Sequence, residues 1–385
     1  MTMLLYAFAF LLIYTGIDIY TGIRLLGLVK VFFPAAKLFI FWPLYMIFCY
    51  SLLLVLFLRF NTAALYTFPL VLYFMFALLF FDVLRLVFRL LHYPVPAVYA
   101  ATGTGIAFVF AILAMFYGAI HSRNIQTVHY NVELKSALPP SELRIALVSD
   151  LHIGAVVNRK WVSNIVDAVN QTKPDIICLA GDIFDYGPDK VRDINNIIAE
   201  LKKLGAPLGV YACQGNHDVD RISFRQNSNE PDPLSGIKSA LEKANIVLLL
   251  DEFQFVDKRF YLVGRRDARP IGMGHERKSA AILTAPLDKS IPIIFIDHQP
   301  VDFAAEEEAG AGLILCGHTH KGQFFPGNLI TSLIFKKAGS VDYGYWQGKS
   351  AQAIVSSGAG VWGPPIRIGT QSEIAVIDIH FSGKL

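Results

Sequence analysis

The sequence predicts an α/β chain in two parts: an N-terminal bundle of about four transmembrane helices (1–122), a linker (123–142), and a four-layer αββα sandwich (143–385). Three observations predict it. The 385 residues are 54% hydrophobic and only 17% charged, with a mean hydropathy of +0.45, which is too apolar for a soluble chain of this size. The apolar excess is concentrated in the first third. Beyond about residue 124, short β-rich apolar runs alternate with amphipathic helical stretches, the pattern of layered sheets and helices.

Four apolar stretches, about 3–20, 38–58, 65–84 and 97–120, each approach the ~20 residues that a helix needs to cross a bilayer. The stretch LFIFWPLYMIFCYSLLLVLFL has no polar face at a 3.6 period, so it does not read as a helix of a soluble bundle. The first stretch lacks a basic start and a small-residue cleavage site, and is read as a retained helix rather than a signal peptide. Residues 1–122 contain six Lys/Arg and two acids; the remaining 28 basic and 29 acidic residues leave 123–385 at −1 before histidine. Such a balance argues against a nucleic-acid surface. With four spans, Arg24, Lys30, Lys37, Arg85 and Arg89 fall in loops on one side, and Arg59 and Arg123 on the other. The positive-inside bias then places the C-terminal part outside the cytoplasm. Asp18 and Asp82 are read as span-end carboxylates able to reach water. Cys49, Cys178, Cys213 and Cys316 sit in apolar runs without C-x-x-C spacing and are read as core residues.

In the second part LRIALVS (143–149), DIICLA (175–180) and GVYACQ (209–214) read as strands, separated by helices at 159–172 and 191–205. A helix near 233–244 and strands near 246–250, 260–265, 292–297 and 312–316 follow, and SEIAVIDIHF closes a final β stretch. The ends of these strands carry the chemistry. Asp150-x-His152 follows the first strand, Gly181-Asp182-x-x-Asp185 the second, Gly215-Asn216-His217-Asp218 the third, Asp297-His298 a later one, and Gly317-His318-Thr319-His320 the next. Each motif alone is weak. In order, each after a strand, they gather carboxylates, an amide oxygen and imidazoles at one sheet edge. That mixed N/O set suits manganese, iron, zinc or cobalt, and the absence of thiolates argues against a purely structural zinc site.

On these motifs residues 143–385 resemble the calcineurin-like metallophosphoesterases, which show D-x-H, GD-x-x-D, GNHD, a later histidine and GH-x-H in this order. The tail GAGVWGPPIRIGTQSEIAVIDI further resembles a membrane-associated bacterial branch, some members of which act on nucleotide-linked lipid A precursors. The resemblance implies two divalent metal ions (Mn, Zn or Fe): Asp150, His152, Asp182 and His320 would hold one, and Asp182, Asn216, His298 and His318 the other, with Asp182 shared. It implies a catalytic His217 that protonates the leaving oxygen or stabilises the transition-state charge, with Asp218 orienting its ring or bonding locally in its loop, and Asp185 behind the ligands. Arg367, after two prolines, is a candidate phosphate contact. Lys321 stands where this branch often has glycine, and its ammonium is expected either in solvent or at a substrate phosphate. Arg265, Arg266, Arg269 and His275 lie in a Gly-rich loop, read either as a cap over the site or as solvated surface.

The expected partners are a phosphorylated small-molecule or lipid-linked substrate and membrane lipid. The expected location is the cell membrane, multi-pass, with the catalytic domain extracytoplasmic. A metallophosphoesterase-fold scaffold that has lost catalysis is the competing class, since fold does not fix function; an intact His217 and ligand set count against it. A nuclease fits the −1 balance poorly, and no polar intramembrane constellation in the sequence supports a transporter.

Overall fold

A computed structural model describes residues 2–51, 62–96, 98–185, 187–218, 232, 234–269 and 276–383. The chain divides into two compact units, residues 1–120 with Gly363–Pro365, and residues 121–362 with 366–385.

The first unit consists of helices α1 (Thr2–Phe32), α2 (Leu38–Cys49), α3 (Thr67–Leu90) and α4 (Val98–His121). Three segments, Phe8–Phe32, Ala64–Leu90 and Val98–His121, are long and apolar enough to cross a membrane, and α2 is a shorter apolar helix. The second expected span, 38–58, runs into residues outside the described set. Contacts inside the unit nevertheless fix helix direction. The Tyr14 hydroxyl donates to Cys49 O (2.8 Å), and Thr21 Oγ1 lies 2.6 Å from Tyr45 Oη, so α1 and α2 are antiparallel. Phe10 and Tyr14 pack on Phe68 while Arg24 reaches Asp82, so α1 and α3 run parallel. Phe74 meets Phe108 and Phe81 meets Tyr99, making α3 and α4 antiparallel. Because α1 and α3 run the same way, the chain between them must return along the bundle.

Two expectations about charge change here. Arg24, Arg85 and Arg89 lie within helices rather than loops, and Arg24 is neutralised by Asp82, which also accepts from Tyr20 Oη at 2.6 Å. Asp18 is not at a span end. Helix α1 extends to Phe32, which leaves the Asp18 carboxylate near mid-helix, buried and without a hydrogen-bond partner among the described residues.

The second unit contains β1 (Ile125–Leu134), β2 (Ser141–Val148), α5 (Arg159–Gln171), β3 (Ile176–Ala180), α6 (Ile194–Leu201), β4 (Val210–Cys213), α7 (Ser235–Lys243), β5 (Val247–Leu248), β6 (Glu252–Val256), β7 (Phe260–Gly264), α8 (Ala280–Thr284), β8 (Ile293–Ile296), α9 (Phe303–Glu308), β9 (Leu313–Cys316), α10 (Gly327–Lys337), β10 (Gly344–Gln347), β11 (Gln352–Val355) and β12 (Ser372–Phe381). One sheet has the order β1-β12-β2-β3-β4-β5 and the other β10-β11-β9-β8-β7-β6. β2 through β5 are mutually parallel, as are β7, β8, β9 and β11.

Strand alternation sorts the side chains into three apolar layers. On β2, Leu143, Ile145 and Leu147 face the other sheet, meeting Leu262, Ile294, Ile296, Leu313 and Leu315. Ala146 and Val148 face the helices, packing with Trp161, Ile165 and Val169 of α5. The outer face of the second sheet packs Phe295 and Ile314 on Leu283 and Phe303. The result is the αββα order that the sequence predicts.

Residues 123–142, expected as a linker, are mostly sheet. β1 pairs in parallel with β12 over ten residues, from Ile125 opposite Ser372 to Leu134 opposite Phe381. Only Ser122–Asn124 separate α4 from β1, too few for a flexible tether. β1 also buries Val132 and Leu134 in the inter-sheet core. A fragment starting at Ser141 would therefore leave the long β12 edge unpaired and elute as aggregate on size exclusion, whereas one starting at Ser122 stays soluble; equal solubility would show that β1 is dispensable.

Candidate active site

The parallel strands deliver their C-terminal loops to one crevice, as open α/β sheets do. Asp150 and His152 follow β2, Asp182 follows β3, Asn216 follows β4, His298 follows β8, and His318 and His320 follow β9. The turns are tight and costly. Asp150, His152, Asp182, His318 and His320 all have positive φ, between 47° and 75°, a left-handed backbone that non-glycine residues hold only when the surroundings enforce it. Gly215 permits the closest approach: a Cβ there would stand 2.1 Å from the Asp182 amide nitrogen.

Three clusters of donors result among the described residues: Asp150, His152 and His320; Asp182, His298 and His318; and, toward the rim, His152, Asp185 and His217, each with ligand atoms within 4.8 Å of one another. His152 Nε2 lies 3.1 Å from His320 Nε2, and His298 Nε2 lies 3.2 Å from His318 Nδ1. Asp182 Oδ2 is common ground, 3.1 Å from His298 Nε2 and 3.6 Å from His152 Nε2. Asn216 Oδ1 is buried and has no hydrogen-bond partner among the described residues. Facing imidazole nitrogens, an orphaned amide oxygen and two buried carboxylates form a donor set that fits divalent cations; left to itself, such a set would be costly to bury. His298 Nδ1 donates to Ala180 O (2.8 Å), which fixes the tautomer and leaves Nε2 as the ligand atom.

The electrostatics divide the imidazoles: burial works to lower His152 and His298, but Asp185 and Asp182 beside the first and Asp182 beside the second raise both, whereas the other two are lowered. Burial, then the charge of His298, drives His318 down to about 3; burial, then His152 and Arg367, holds His320 well below its usual value. Both rings are thus neutral, as coordination requires. Burial works to raise Asp182, but the imidazoles of His298 and His152 outweigh it and keep the carboxyl ionised far below the usual range. At Asp150 burial prevails and the carboxyl is raised.

His217 stands at the half-buried rim. Its amide donates to Asp182 Oδ1 (2.7 Å), its ring is 5.1 Å from that of His152, and Trp362 packs on it at 5.4 Å. The carboxylate beside its Nδ1 is Asp185 Oδ1 at 3.4 Å, which is also 3.8 Å from His152 Nδ1. Asp218 does not orient this ring. Buried, it accepts the amides of Asp182 (3.0 Å), Phe184 (2.9 Å) and Gly215 (2.7 Å), clamping the loops after β3 and β4. A carboxylate two residues after Asn216 has those amides nearest to it, so the local-bond reading holds and the catalytic one is withdrawn.

The two expected phosphate contacts differ in setting. Arg367 is fully buried, donating to the carbonyls of Ser357 (2.7 Å), Gly358 (3.1 Å) and Gly360 (2.8 Å) and lying 3.4 Å from His320 O. It holds the loop behind His320, sharing Gly358 O with the Glu373 amide at 3.0 Å. The half-buried Lys321 stands with its ammonium over the Tyr343 ring at 3.8 Å. Its φ of 52° explains why glycine is common at this position.

Arg265 is no cap. Its guanidinium is buried against Asp297 (3.3 Å), Asp302 (3.3 Å) and Glu306 (2.8 Å), with Arg277 joining the same acids, directly behind His298. The Arg266 amide donates to Asp251, and the Arg269 amide donates to Asp267. His275 lies outside the described residues. Sequence reading missed Trp362 altogether, and placed Asp185 behind the ligands without seeing that it faces both His152 and His217. The GD-x-x-D spacing was the available signal for Asp185; for Trp362 there was none.

Residues 143–322 match the family described as calcineurin-like phosphoesterase. An uncharacterized metallophosphoesterase of Campylobacter jejuni is 27% identical over 275 residues, 70% of this chain and 67% of that protein. One from Helicobacter pylori is 31% identical over 61% of this chain and 59% of its own length. A Danio rerio transmembrane protein with metallophosphoesterase domain is 29% identical over 71% of this chain and 62% of its own length. The chain thus spans about three fifths to two thirds of these relatives. Among solved structures, a dimetal phosphatase from Danio rerio aligns with a TM-score of 0.37 at 15% identity, over 62% of this chain and 99% of that one.

Two outcomes follow for stability. Asp218→Ala should cost about 3 kcal/mol, a Tm loss on the order of 10 °C, because three buried amides lose their acceptor; an unchanged Tm would contradict the clamp. Burial, with Asp297 adding and Arg265 opposing, pushes Glu306 up to about 8 from 4.5. A carboxyl raised on folding stabilises fully below its unfolded value, and that contribution is lost as pH rises through the folded value. Wild-type Tm should therefore fall between about pH 4.5 and 8, and Glu306→Gln should flatten that fall; an unaltered pH profile of Tm in the variant would refute it.

Proposed function

We propose, for a chain whose residues 143–322 belong to the calcineurin-like phosphoesterase family, a membrane-anchored, binuclear metal-dependent phosphoesterase acting on a phosphoester, phosphodiester or pyrophosphate of a lipid-linked or cell-envelope substrate. The observation that supports this reading is Asp182 Oδ2, 3.1 Å from His298 Nε2 and 3.6 Å from His152 Nε2, an atom lying near one imidazole of each of two donor clusters.

Asp150, His152, Asp182 and His320 would hold one divalent cation, and Asp182, Asn216, His298 and His318 the other. Two such ions supply Lewis acidity toward a phosphoryl oxygen and lower the pKa of a nearby water. Burial keeps His318 and His320 neutral and ready to bind. His217, at the rim and held by Asp185 and the Trp362 ring, delivers a proton to the departing oxygen. Its amide bond to Asp182 ties that ring to the shared ligand. Asp218 and Arg367 act as positioning residues, one for the loops after β3 and β4 and the other for the loop behind His320.

The membrane setting is supported by three apolar helices of spanning length and by the alternating helix directions of the first unit. With Arg24 neutralised by Asp82, Lys30, Lys37, Arg85 and Arg89 gather toward one end of the first unit's helices. We read that end as cytoplasmic, which puts the catalytic unit on the opposite side. A lipid-linked substrate follows from that tethering, and the −1 charge of 123–385 counts against nucleic acid.

The test uses the full chain in detergent, stripped of metal and refilled with manganese, zinc, iron or magnesium, on bis-p-nitrophenyl phosphate and the matching monoester. Metal-dependent turnover is expected; no turnover in a folded protein that binds two ions would favour a scaffold. His217→Ala should keep the metal and slow turnover by roughly 10²–10⁴. Asp182→Ala should lose activity together with metal at both positions, and retention of two ions per chain would break the bridging assignment.

A further inference from the structure

Helix α10 carries its amphipathicity inside out. Its inward side is formed by Asn328, Thr331 and Phe335, all half-buried, with Thr331 Oγ1 donating to Asp342 Oδ2 at 2.7 Å. Its outward side is Leu329, Ile330, Leu333 and Ile334, exposed by 53, 53, 70 and 58%, and no residue of the helix is buried. These positions, spaced i, i+1, i+4, i+5, make one continuous apolar stripe. Lys336 and Lys337 close the C-terminal turn. Phe325, just before the helix, is exposed as well.

The helix is mounted rigidly beside the site. The backbones of Gly322 and Gly327 touch, so that a Cβ on Gly322 would lie 2.2 Å from the Gly327 carbonyl carbon. Phe324 bridges to Ile368. Between His320 and α10, Gln323 exchanges two hydrogen bonds with the Trp362 backbone, at 2.8 and 2.9 Å. Trp362 is itself half exposed while its ring packs on His217. An exposed aromatic at the catalytic rim and an exposed apolar helix are thus joined through one short segment.

We propose that α10 lies in the headgroup–acyl boundary of the bilayer and presents the crevice beside it to lipid-borne substrate. The occupant is a lipid surface rather than a soluble partner for two reasons on this chain. Only Ser122–Asn124 separate a spanning-length helix from β1, so the soluble unit never leaves the bilayer's neighbourhood. An apolar stripe ending in paired lysines also matches the acyl boundary below and the anionic headgroups above.

The test takes the full chain with Leu333→Cys, labelled with nitrobenzoxadiazole and reconstituted into vesicles of phosphatidylethanolamine and phosphatidylglycerol; the native cysteines are all buried. A blue-shifted emission, quenched by lipids bearing a shallow nitroxide, is expected, while the same label at Glu242→Cys on α7 emits as in water. A water-like, unquenched signal at 333 overturns the proposal. So does a blue-shifted but unquenched one, which would mean that a second copy or another protein covers the helix. This arm is independent of catalysis. The delivery arm rests on the phosphoesterase reading: Ile330→Asp with Leu333→Asp should cut turnover of a diacyl phosphoester in those vesicles by about tenfold and leave bis-p-nitrophenyl phosphate unchanged. Equal loss on both substrates, or none on either, would overturn delivery, whereas an inactive wild type would instead count against the phosphoesterase.

Discussion

Two carboxylates buried side by side constrain the whole second unit. Asp150 and Asp182 are both almost wholly inaccessible, and each raises the cost of ionising the other. An uncompensated pair of this kind is expensive at low dielectric. The surroundings offset it in layers. The His318 amide donates to Asp150 and the His217 amide to Asp182, while the imidazoles of His152 and His298 stand within 4.0 Å of one or both. These groups must come from five different strands, and for that reason the loops are strained at five ligand positions and glycine stands where backbones approach most closely.

Around that pair the fold carries two clamps of opposite polarity. Asp218 is an acceptor for three backbone amides, and Arg367 is a donor to backbone carbonyls. Neither touches the crevice, yet each fixes a loop that bears ligands. Charge-assisted bonds to backbone suit this use because they are short and directional. Behind His298 the Arg265, Arg277, Asp297 and Glu306 cluster serves the second sheet in the same way. The first unit repeats the pattern at Arg24 and Asp82, where an ion pair joins two parallel apolar helices.

The motifs were legible because catalytic donors sit at strand ends and strands announce themselves as short apolar runs. D-x-H, GNHD and GH-x-H could thus be read in order without knowing any distance. Asp218 and Asp185 show what that reading left open: both are carboxylates near His217 in the chain or the motif set, and only through-space geometry says that Asp185 faces the imidazole while Asp218 turns to the amides. Arg367 failed for a related reason. Two prolines do restrict its backbone, but they aim the guanidinium into the protein rather than toward the crevice. The stretch 123–142 looked like a linker because β1 alternates polar and apolar residues at a sheet edge, with only its last residues deeply buried.

By itself the sequence determined the two-part architecture, the apolar spans, the strand and helix order, and the identity of the metal-type donors, because these depend on local periodicity and on covalent neighbours. Tertiary structure alone decided which charges pair, which histidines face one another, that β1 completes a sheet with a strand some 250 residues later in the chain, and that α10 turns its apolar side outward. Helical spacing shows that an apolar stripe exists; only the packing of Thr331 against Asp342 shows that the opposite face is the one the fold uses.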